Sequence, residues 1–506
     1  MSTVWGVNVG THDSSLASVV DGELVFAAHS ERSSRKKNDR ELHPTTVQQA
    51  LDVGGEPNKI VFYERDGWKR ARQLWAGQYR TAFSKPDVRM LIPIVNTMPI
   101  KETLHHHVPS RSVAHHHSHA AAGYYTSPYR DAAVLVVDSI GEWETLTIWK
   151  GEGKHLKRVF SQGYPHSVGL WYSAMTQRIG LKPNEDEYIL MGWAALGDPN
   201  KYKKRIYDDF FKPIKPGNAG VRFKENLHRG CLTWAPELNT PQDYADIAAS
   251  TQAVYEHVFK HLINETKRLV KSDNLVVMGG CALNCVANSI AHQEYNGNVW
   301  IMPNPGDAGS SLGAVLAYQQ DFIEWTGPYQ GYNIAGDYPV NSTLKQLQST
   351  GLVGVANGKA EFGPRALGNR SLFADPRGTD VKDRVNTVKR RQEFRPFAPV
   401  ILEADASDYF DGPVGPYMQY TSVCKQPELF PAIAHYDNTS RVQTVNQKEH
   451  PGLFKLLTEW KKRTGCPMLL NTSLNIKGEP MVDTEADAER WQEQYNVPVF
   501  TKEDKQ

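Results

Sequence analysis

A strand, a short loop of glycine and acidic residues, and a second strand occur twice in this chain of 506 residues. A repeat of that kind restricts the fold to one built from two related lobes. The first copy is read as a strand over residues 4–9, the loop Gly10-Thr11-His12-Asp13-Ser14-Ser15, a strand over 16–20 and an Asp21-Gly22 turn. The second is a strand over 133–137, the loop Asp138-Ser139-Ile140-Gly141-Glu142, a strand over 145–149 and a closing Gly151-Glu152-Gly153. Glycine lets backbone N–H groups approach a phosphate closely, and a loop carboxylate can hold the cation that screens it. The pair therefore points to nucleotide chemistry. A helix read over 243–270 from its apolar spacing leads into a strand over 275–278 and then Gly279-Gly280, a further seat for a nucleotide.

Residues 327–337 are rich in Gly, Tyr and Pro and are read as the edge of a linker, with a new α/β segment starting near Leu344. This gives an N-terminal domain over 1–335 and a C-terminal domain over 340–506. The balance of 57 Lys and Arg against 56 Asp and Glu leaves a net charge of +1, which supplies no footprint for wholesale nucleic-acid or membrane-surface binding. Apolar runs such as 132–137 fall far short of the ~20 residues of a membrane-crossing helix, and no basic-then-apolar signal pattern opens the chain. Five cysteines are few and odd in number, which argues against a disulfide framework; the expectation is a cytoplasmic protein in a reducing compartment. Cys281 and Cys285 have no second Cys or His pair nearby and read as small buried thiols rather than a zinc ribbon. No P-loop motif is present, which disfavours a P-loop ATPase.

In Ala114-His-His-His-Ser-His-Ala-Ala-Ala-Gly123, His115 and His119 stand four apart and share one face of an Ala-rich helix, so both imidazoles can reach one metal. Asp138 supplies an oxygen ligand and Asp307, in Pro305-Gly-Asp-Ala-Gly309, a fourth. The alternative is a polar helix face that holds no ion. The run His105, His106, His107 shows no partner and reads as a solvated loop. Arg32, Arg35, Lys36, Lys37 and Arg40 are either a solvated face or, following the first glycine loop, a source of a phosphate contact. Gly363-Pro364-Arg365 and Gly368-Asn369-Arg370-Ser371 place two arginines among tight turns. Each is either a bidentate phosphate ligand or the partner of a local carboxylate such as Glu361 or Asp375. Arg441 carries the same two readings.

Gly10-Thr-His-Asp-Ser14, Glu31-Arg-Ser-Ser-Arg35 with Lys37, the His115/His119 pair, Asp138, residues 184–192, Gly279-Gly-Cys-Ala-Leu-Asn284, Gly306-Asp-Ala-Gly309, residues 361–371, Phe394-Arg-Pro-Phe-Ala-Pro399, Arg441-Val-Gln-Thr-Val445 and Asn471-Thr-Ser-Leu-Asn475 follow one another in this order. Through them nearly the whole chain resembles the O-carbamoyltransferase family, which includes the nodulation and antibiotic carbamoyltransferases. The resemblance implies an α/β protein with a duplicated actin/sugar-kinase-like N-terminal domain, similar to the tRNA threonylcarbamoyl-transfer enzymes, and a YrdC-like C-terminal domain. It implies ATP and carbamoyl phosphate as substrates, carbamoyl adenylate formed in the C-terminal domain, and transfer to a hydroxyl of a small-molecule or nucleotide acceptor that it does not name. A divalent metal, Fe2+ foremost with Mn2+ or Zn2+ as alternatives, is expected on His115, His119, Asp138 and Asp307, and Mg2+ with ATP. His12 is the expected general base, because a neutral imidazole near pH 7 suits that role, and Lys37 a phosphate or carbamoyl contact. Gly10, Thr11, Gly141, Gly279, Gly280 and Asn284 are expected around the nucleotide, and Arg365, Arg370, Ser371, Arg395, Arg441 and Asn471 around carbamoyl phosphate or ATP. A homodimer is compatible with this reading. Two alternatives stand beside it: a tRNA threonylcarbamoyl transferase-like enzyme, which the near-zero net charge disfavours, and a nucleotide-binding regulatory module without turnover. The stretch from Asp307 to Gly363 is short for the family, and no closing hydrophobic strand is expected after Asp487, so the C-terminal domain is expected to be trimmed.

Overall fold

The computed structural model describes residues 2–10, 12–79, 82, 100, 103–104 and 108–503. Thr11 and the run His105, His106, His107 lie outside the described residues.

The repeat read from the sequence is a repeat of whole sheets. Strands β1 (Thr3–Asn8), β2 (Ser15–Val20), β3 (Glu23–His29), β4 (Lys59–Phe62) and β5 (Ser110–Ser112) form one sheet in the order β3-β2-β1-β4-β5. Strands β6 (Asp131–Gly141), β7 (Glu144–Glu152), β8 (His155–Gly163), β9 (Asn274–Met278) and β10 (Asn298–Trp300) form a second, and from the β8 edge its order is β8-β7-β6-β9-β10. In each, the first three strands are antiparallel neighbours and the last two are added in parallel. Parallel pairing needs a crossover, and the helices Pro44–Gly54 and Pro241–Leu269 lie on those connections. This is the duplicated α/β architecture expected from the sequence.

The last strand of each sheet runs into a helix, His115–Thr126 after β5 and Ser310–Gln319 after β10. These two helices meet at backbone contact. A Cβ on Gly313 would fall 2.0 Å from the Ser118 carbonyl oxygen, and one on Gly6 would fall 1.8 Å from that of Ser311. Ala120, Ala121 and Ala122 are fully buried in the same layer. Small side chains are what permits the approach, and enlarging Ala121 to Leu would overpack it at a cost of about 1–3 kcal/mol. The N-termini of both helices are thereby brought to one point between the lobes.

The C-terminal part is a six-stranded mixed sheet, ordered β19-β15-β20-β14-β12-β21, from β12 (Leu352–Ala356), β14 (Arg370–Ala374), β15 (Ala398–Leu402), β19 (Gln443–Val445), β20 (Met468–Ser473) and β21 (Val499–Phe500). A small sheet of β16 (Phe410–Asp411), β17 (Ser422–Cys424) and β18 (Thr439–Ser440) flanks it. Two expectations change here. The stretch read as a linker edge contains strand β11 (Tyr329–Ile334), antiparallel to β13 (Gly358–Glu361); Gly331 there serves close packing, since a Cβ would stand 3.1 Å from that of Ala360. The chain end does close with a strand, because β21 pairs in parallel with β12 where Gly354 leaves room for Val499. All five cysteines are free thiols. Among the described residues no helix is long and apolar enough to cross a membrane.

Candidate active site

His115 and His119 lie on the first two turns of their helix and are 2% and 0% exposed, which removes the reading of a polar surface face. Asp138 sits on β6, and Asp307 opens the turn Asp307–Gly309 that leads into the helix Ser310–Gln319. One ligand atom from each of the four residues lies within 4.8 Å of all the others. The two Nε2 atoms are 3.1 Å apart, His119 Nε2 is 3.2 Å from Asp307 Oδ1, and His115 Nε2 is 3.4 Å from Asp307 Oδ1 and 3.3 Å from Asp138 Oδ2. A cation held at about 2.0–2.2 Å by four donors sets neighbouring donors roughly 3.0–3.6 Å apart. The donor set therefore fits a metal in both chemistry and spacing.

Support comes from behind the ligands. Glu64 Oε2 lies 3.6 Å from His115 Nδ1, an atom otherwise buried without a hydrogen-bond partner, and Lys69 Nζ pins the other Glu64 oxygen at 2.6 Å. Ser310 Oγ is 3.2 Å from His119 Nδ1, and the Gly280 N–H donates to Asp138 Oδ1 at 3.1 Å. Glu142 accepts from the His115 N–H at 3.3 Å and from the Arg65 guanidinium at 2.6 Å. Burial alone would discharge His115, but the charge of Asp307 and the hydrogen bond to Asp138 hold its imidazole well above its ordinary value. Burial likewise pushes Asp307 up, and the His115 charge outweighs it and holds the carboxyl well below the usual range.

A cavity of about 460 Å³ opens from this corner to the C-terminal domain. His12, Lys37, Asp138, Gly280, Asn284 and Asp307 line its N-terminal side. Lys37 Nζ is 3.0 Å from the buried Glu31 carboxylate. His12 Nδ1 is 2.8 Å from Asp13 Oδ2 and its Nε2 is 3.8 Å from Asp307 Oδ2. Burial pushes His12 down, but the hydrogen bond to Asp13 and the charge of Asp307 outweigh it and hold the ring at about 9.

The opposite wall is cationic. Arg365, Arg391, Arg395, Arg441, Lys389 and Asn471 face the same cavity. Among the described residues none of these arginines forms a salt bridge, and Arg441 Nε is buried without a partner. Burial and the neighbouring Arg441 charge push Arg365 down to about 9, and burial with Arg395 pushes Arg391 well below its ordinary value. Lys389 donates to Ser473 Oγ at 3.0 Å and Asn475 Oδ1 at 2.7 Å, both neutral acceptors. Fixed cations without counter-charges form a site for an anion.

Several expected contacts have other work. Arg370 is fully buried, and its guanidinium donates to the carbonyls of Tyr332, Asn357, Gly358, Asn369 and Asp483 at 2.8–3.1 Å, so it staples strands and does not line the cavity. Ser371 Oγ accepts from the Gly368 N–H inside the same turn. The turn itself is organised by Glu361, which accepts from the backbone N–H groups of Leu367, Asn369 and Arg370 rather than from a guanidinium. The Gly10 N–H donates to the Arg40 carbonyl and the Gly279 N–H to that of Pro305, so neither is free for a phosphate. Gly141 is required by the metal corner, since a Cβ would stand 2.3 Å from the His115 ring. From the cationic run, Arg32 donates to the Gly363 carbonyl and Arg35 to those of Met481 and Pro480, which ties the two domains together.

Residue-by-residue reading missed Glu64, Lys389 and Arg391. The repeat could have found Glu64, because it follows β4 as Gly279-Gly280 follow β9. The run Lys389-Arg390-Arg391 with Arg395 was visible, but nothing in it separates a cavity wall from a solvated face.

Family comparison agrees with this geometry. The model described as carbamoyltransferase N-terminus matches residues 3–316, and the one described as carbamoyltransferase C-terminus matches 344–504. The chain belongs to the carbamoyltransferase family. It is 33% identical to an uncharacterized protein of Synechocystis sp., over 97% of this chain and 94% of that one. It is 28% identical to nodulation protein NolNO of Sinorhizobium fredii, over 95% of this chain and 76% of the other. Among solved structures, full-length HypF in its phosphate- and nucleotide-bound form covers 63% of this chain and 55% of its own, at 11% identity and a TM-score of 0.37. As a member of the family the protein is a transferase that acts on carbamoyl groups.

Proposed function

We propose that this carbamoyltransferase forms carbamoyl adenylate from ATP and carbamoyl phosphate and passes the carbamoyl group to a hydroxyl of a small-molecule or nucleotide acceptor. The observation that carries the proposal is one cavity with a cluster of two imidazoles and two carboxylates at one end and a cationic wall without salt bridges at the other. Carbamoyl phosphate and water give carbamate and inorganic phosphate. A carbamate oxygen then attacks the α-phosphorus of ATP, the bond to the bridging oxygen breaks, and pyrophosphate leaves. The acceptor hydroxyl attacks the carbamoyl carbon, its proton passes to a base, and AMP departs.

Arg365, Arg391, Arg395 and Arg441 hold the phosphates and offset the charge that develops on the leaving groups. Lys37, on the facing wall, adds a cation on the path between the two ends. His12, which lines the cavity beside Asp13 and Asp307, takes the proton of the acceptor hydroxyl. A divalent metal on His115, His119, Asp138 and Asp307, Fe2+ foremost and Mn2+ or Zn2+ as alternatives, supplies Lewis-acid stabilisation of negative charge, and Mg2+ enters with ATP. Five free thiols suit a reducing, cytoplasmic compartment.

The test supplies the full chain with ATP, isotopically labelled carbamoyl phosphate, a divalent metal and a small-molecule and nucleoside extract. Mass spectrometry is expected to find the label as a carbamate ester, with AMP formed in equal amount. Bound ATP with no labelled product under any metal would assign the chain to a regulatory role without turnover.

A further inference from the structure

One arginine of the cationic wall is held by the other domain. The Arg395 guanidinium lies 4.6 Å from the centroid of the Tyr188 ring. Tyr188 is the second residue of the helix Glu187–Trp193, and that helix meets the C-terminal domain at two further points. The Trp193 ring stacks on Phe394, 6.0 Å between centroids at 23°, and His435 Nε2 donates to the Gly192 carbonyl at 2.8 Å. On its own side the helix is anchored by Glu187, whose Oε1 accepts from Ser173 Oγ and from the Asn184 N–H, both at 2.6 Å. Both Tyr188 and Arg395 line the cavity.

Arg395 needs such a partner. No carboxylate forms a salt bridge with it among the described residues; the Arg441 charge acts against its own while Tyr188 and the more distant Asp186 support it, and its charge in turn acts against that of Arg391. A guanidinium on a flexible stem, repelled by its neighbours, would otherwise swing towards water. The face of an aromatic ring attracts a cation without neutralising it, so it can fix the position of the charge and leave that charge for a ligand. A carboxylate in the same place would fix the arginine and cancel it.

We infer that Tyr188 is a positioning residue: its ring, supplied by the N-terminal domain, holds Arg395 in the geometry that binds a phosphate group, so the anion site of the C-terminal domain is complete only when the two domains are docked. This rests on the reading of the cationic wall as the seat of ATP or carbamoyl phosphate. It adds that the first half-reaction depends on an N-terminal side chain which touches neither the metal ligands nor the transferred group.

The test titrates full-length protein with inorganic pyrophosphate by calorimetry, comparing wild type, Tyr188→Leu, Tyr188→Phe, Arg395→Ala and the Tyr188→Leu/Arg395→Ala double variant. The ring is expected to contribute roughly a three- to thirtyfold change in affinity, the range of a partly desolvated cation–π contact. Tyr188→Leu should lose that factor, Tyr188→Phe should regain most of it, and Tyr188→Leu should cost nothing more once Arg395 is gone. Equal losses in the presence and absence of Arg395 would show that the ring acts on the fold and would overturn the inference, as would unchanged binding in Tyr188→Leu. A Tyr188→Phe variant as weak as Tyr188→Leu would overturn it too, because the hydroxyl would then be responsible. Absence of pyrophosphate binding in the wild type as well would remove the cationic-wall reading itself, an outcome distinct from the others.

Discussion

At one end of the cavity His115 stands 3.3–3.4 Å from the carboxylates of Asp138 and Asp307, and His119 stands 3.2 Å from Asp307; at the other, Arg365, Arg391, Arg395 and Arg441 line the wall without a salt bridge. In the first set each carboxylate already has an imidazole beside it. The second is held by uncharged neighbours. Arg391 donates to Asn386 Oδ1 at 2.8 Å and to the Pro396 carbonyl at 2.7 Å, and Arg395 lies over the Tyr188 ring. Its mutual repulsion is relieved only by an anion. A site that takes a resident cation can be prepaired, whereas a site that takes and releases a substrate anion benefits from being left unpaired.

The largest effect is expected at the prepaired end. His119→Ala removes one of the four donors and the 3.2 Å contact to Asp307, so metal content measured by elemental analysis and carbamoyl transfer should both fall below detection. Retained metal and retained transfer would break the contrast at its stronger side.

Arg370→Ala tests whether every arginine of the C-terminal domain waits for an anion. It orphans carbonyls on five residues. Denaturant unfolding should show a loss of about 3–5 kcal/mol. A folded variant with normal stability and impaired ATP binding would return Arg370 to the site.

Arg441→Ala should act in the opposite sense on stability. Pyrophosphate binding should weaken roughly ten- to hundredfold, the value of a charge-assisted contact, while the unliganded protein gains up to about 1 kcal/mol from relieved repulsion. A loss of stability in the unliganded protein would mean that the wall is not strained by its own charge.

The smallest expected change sharpens the metal corner. Glu64→Gln keeps the shape beside His115 but removes the charge facing Nδ1, and metal affinity should drop about 10–100-fold with little change in melting temperature. Unchanged affinity would show that His115 is oriented by its helix alone.

Much of this was legible in the sequence, for reasons that differ by region. The duplication was readable because each lobe opens with the same antiparallel hairpin. The four-donor cluster was readable because two histidines on one helical face need only two oxygens from elsewhere, and Asp138 and Asp307 both stand close to glycines in the sequence. The job of an arginine was not readable. Arg365 and Arg370 stand five residues apart in one turn-rich stretch, yet one lines the cavity and the other is buried among carbonyls. That difference is set by which strand each residue enters, and β14 begins at Arg370. Glycines misled in the same way: Gly141 and Gly279 are required by close approach to His115 and to the Val137 carbonyl, not by a phosphate.

The central claim is that the cationic wall activates carbamate on ATP before the metal corner passes the carbamoyl group on. The most direct measurement follows pyrophosphate release by the full chain from ATP and carbamoyl phosphate, with no acceptor present, in wild type and in His119→Ala. Carbamoyl adenylate formation predicts pyrophosphate and inorganic phosphate in equal amounts from both proteins, with transfer to the acceptor lost only in His119→Ala. No pyrophosphate from the wild type, with transfer still taking place when acceptor is added, would contradict it.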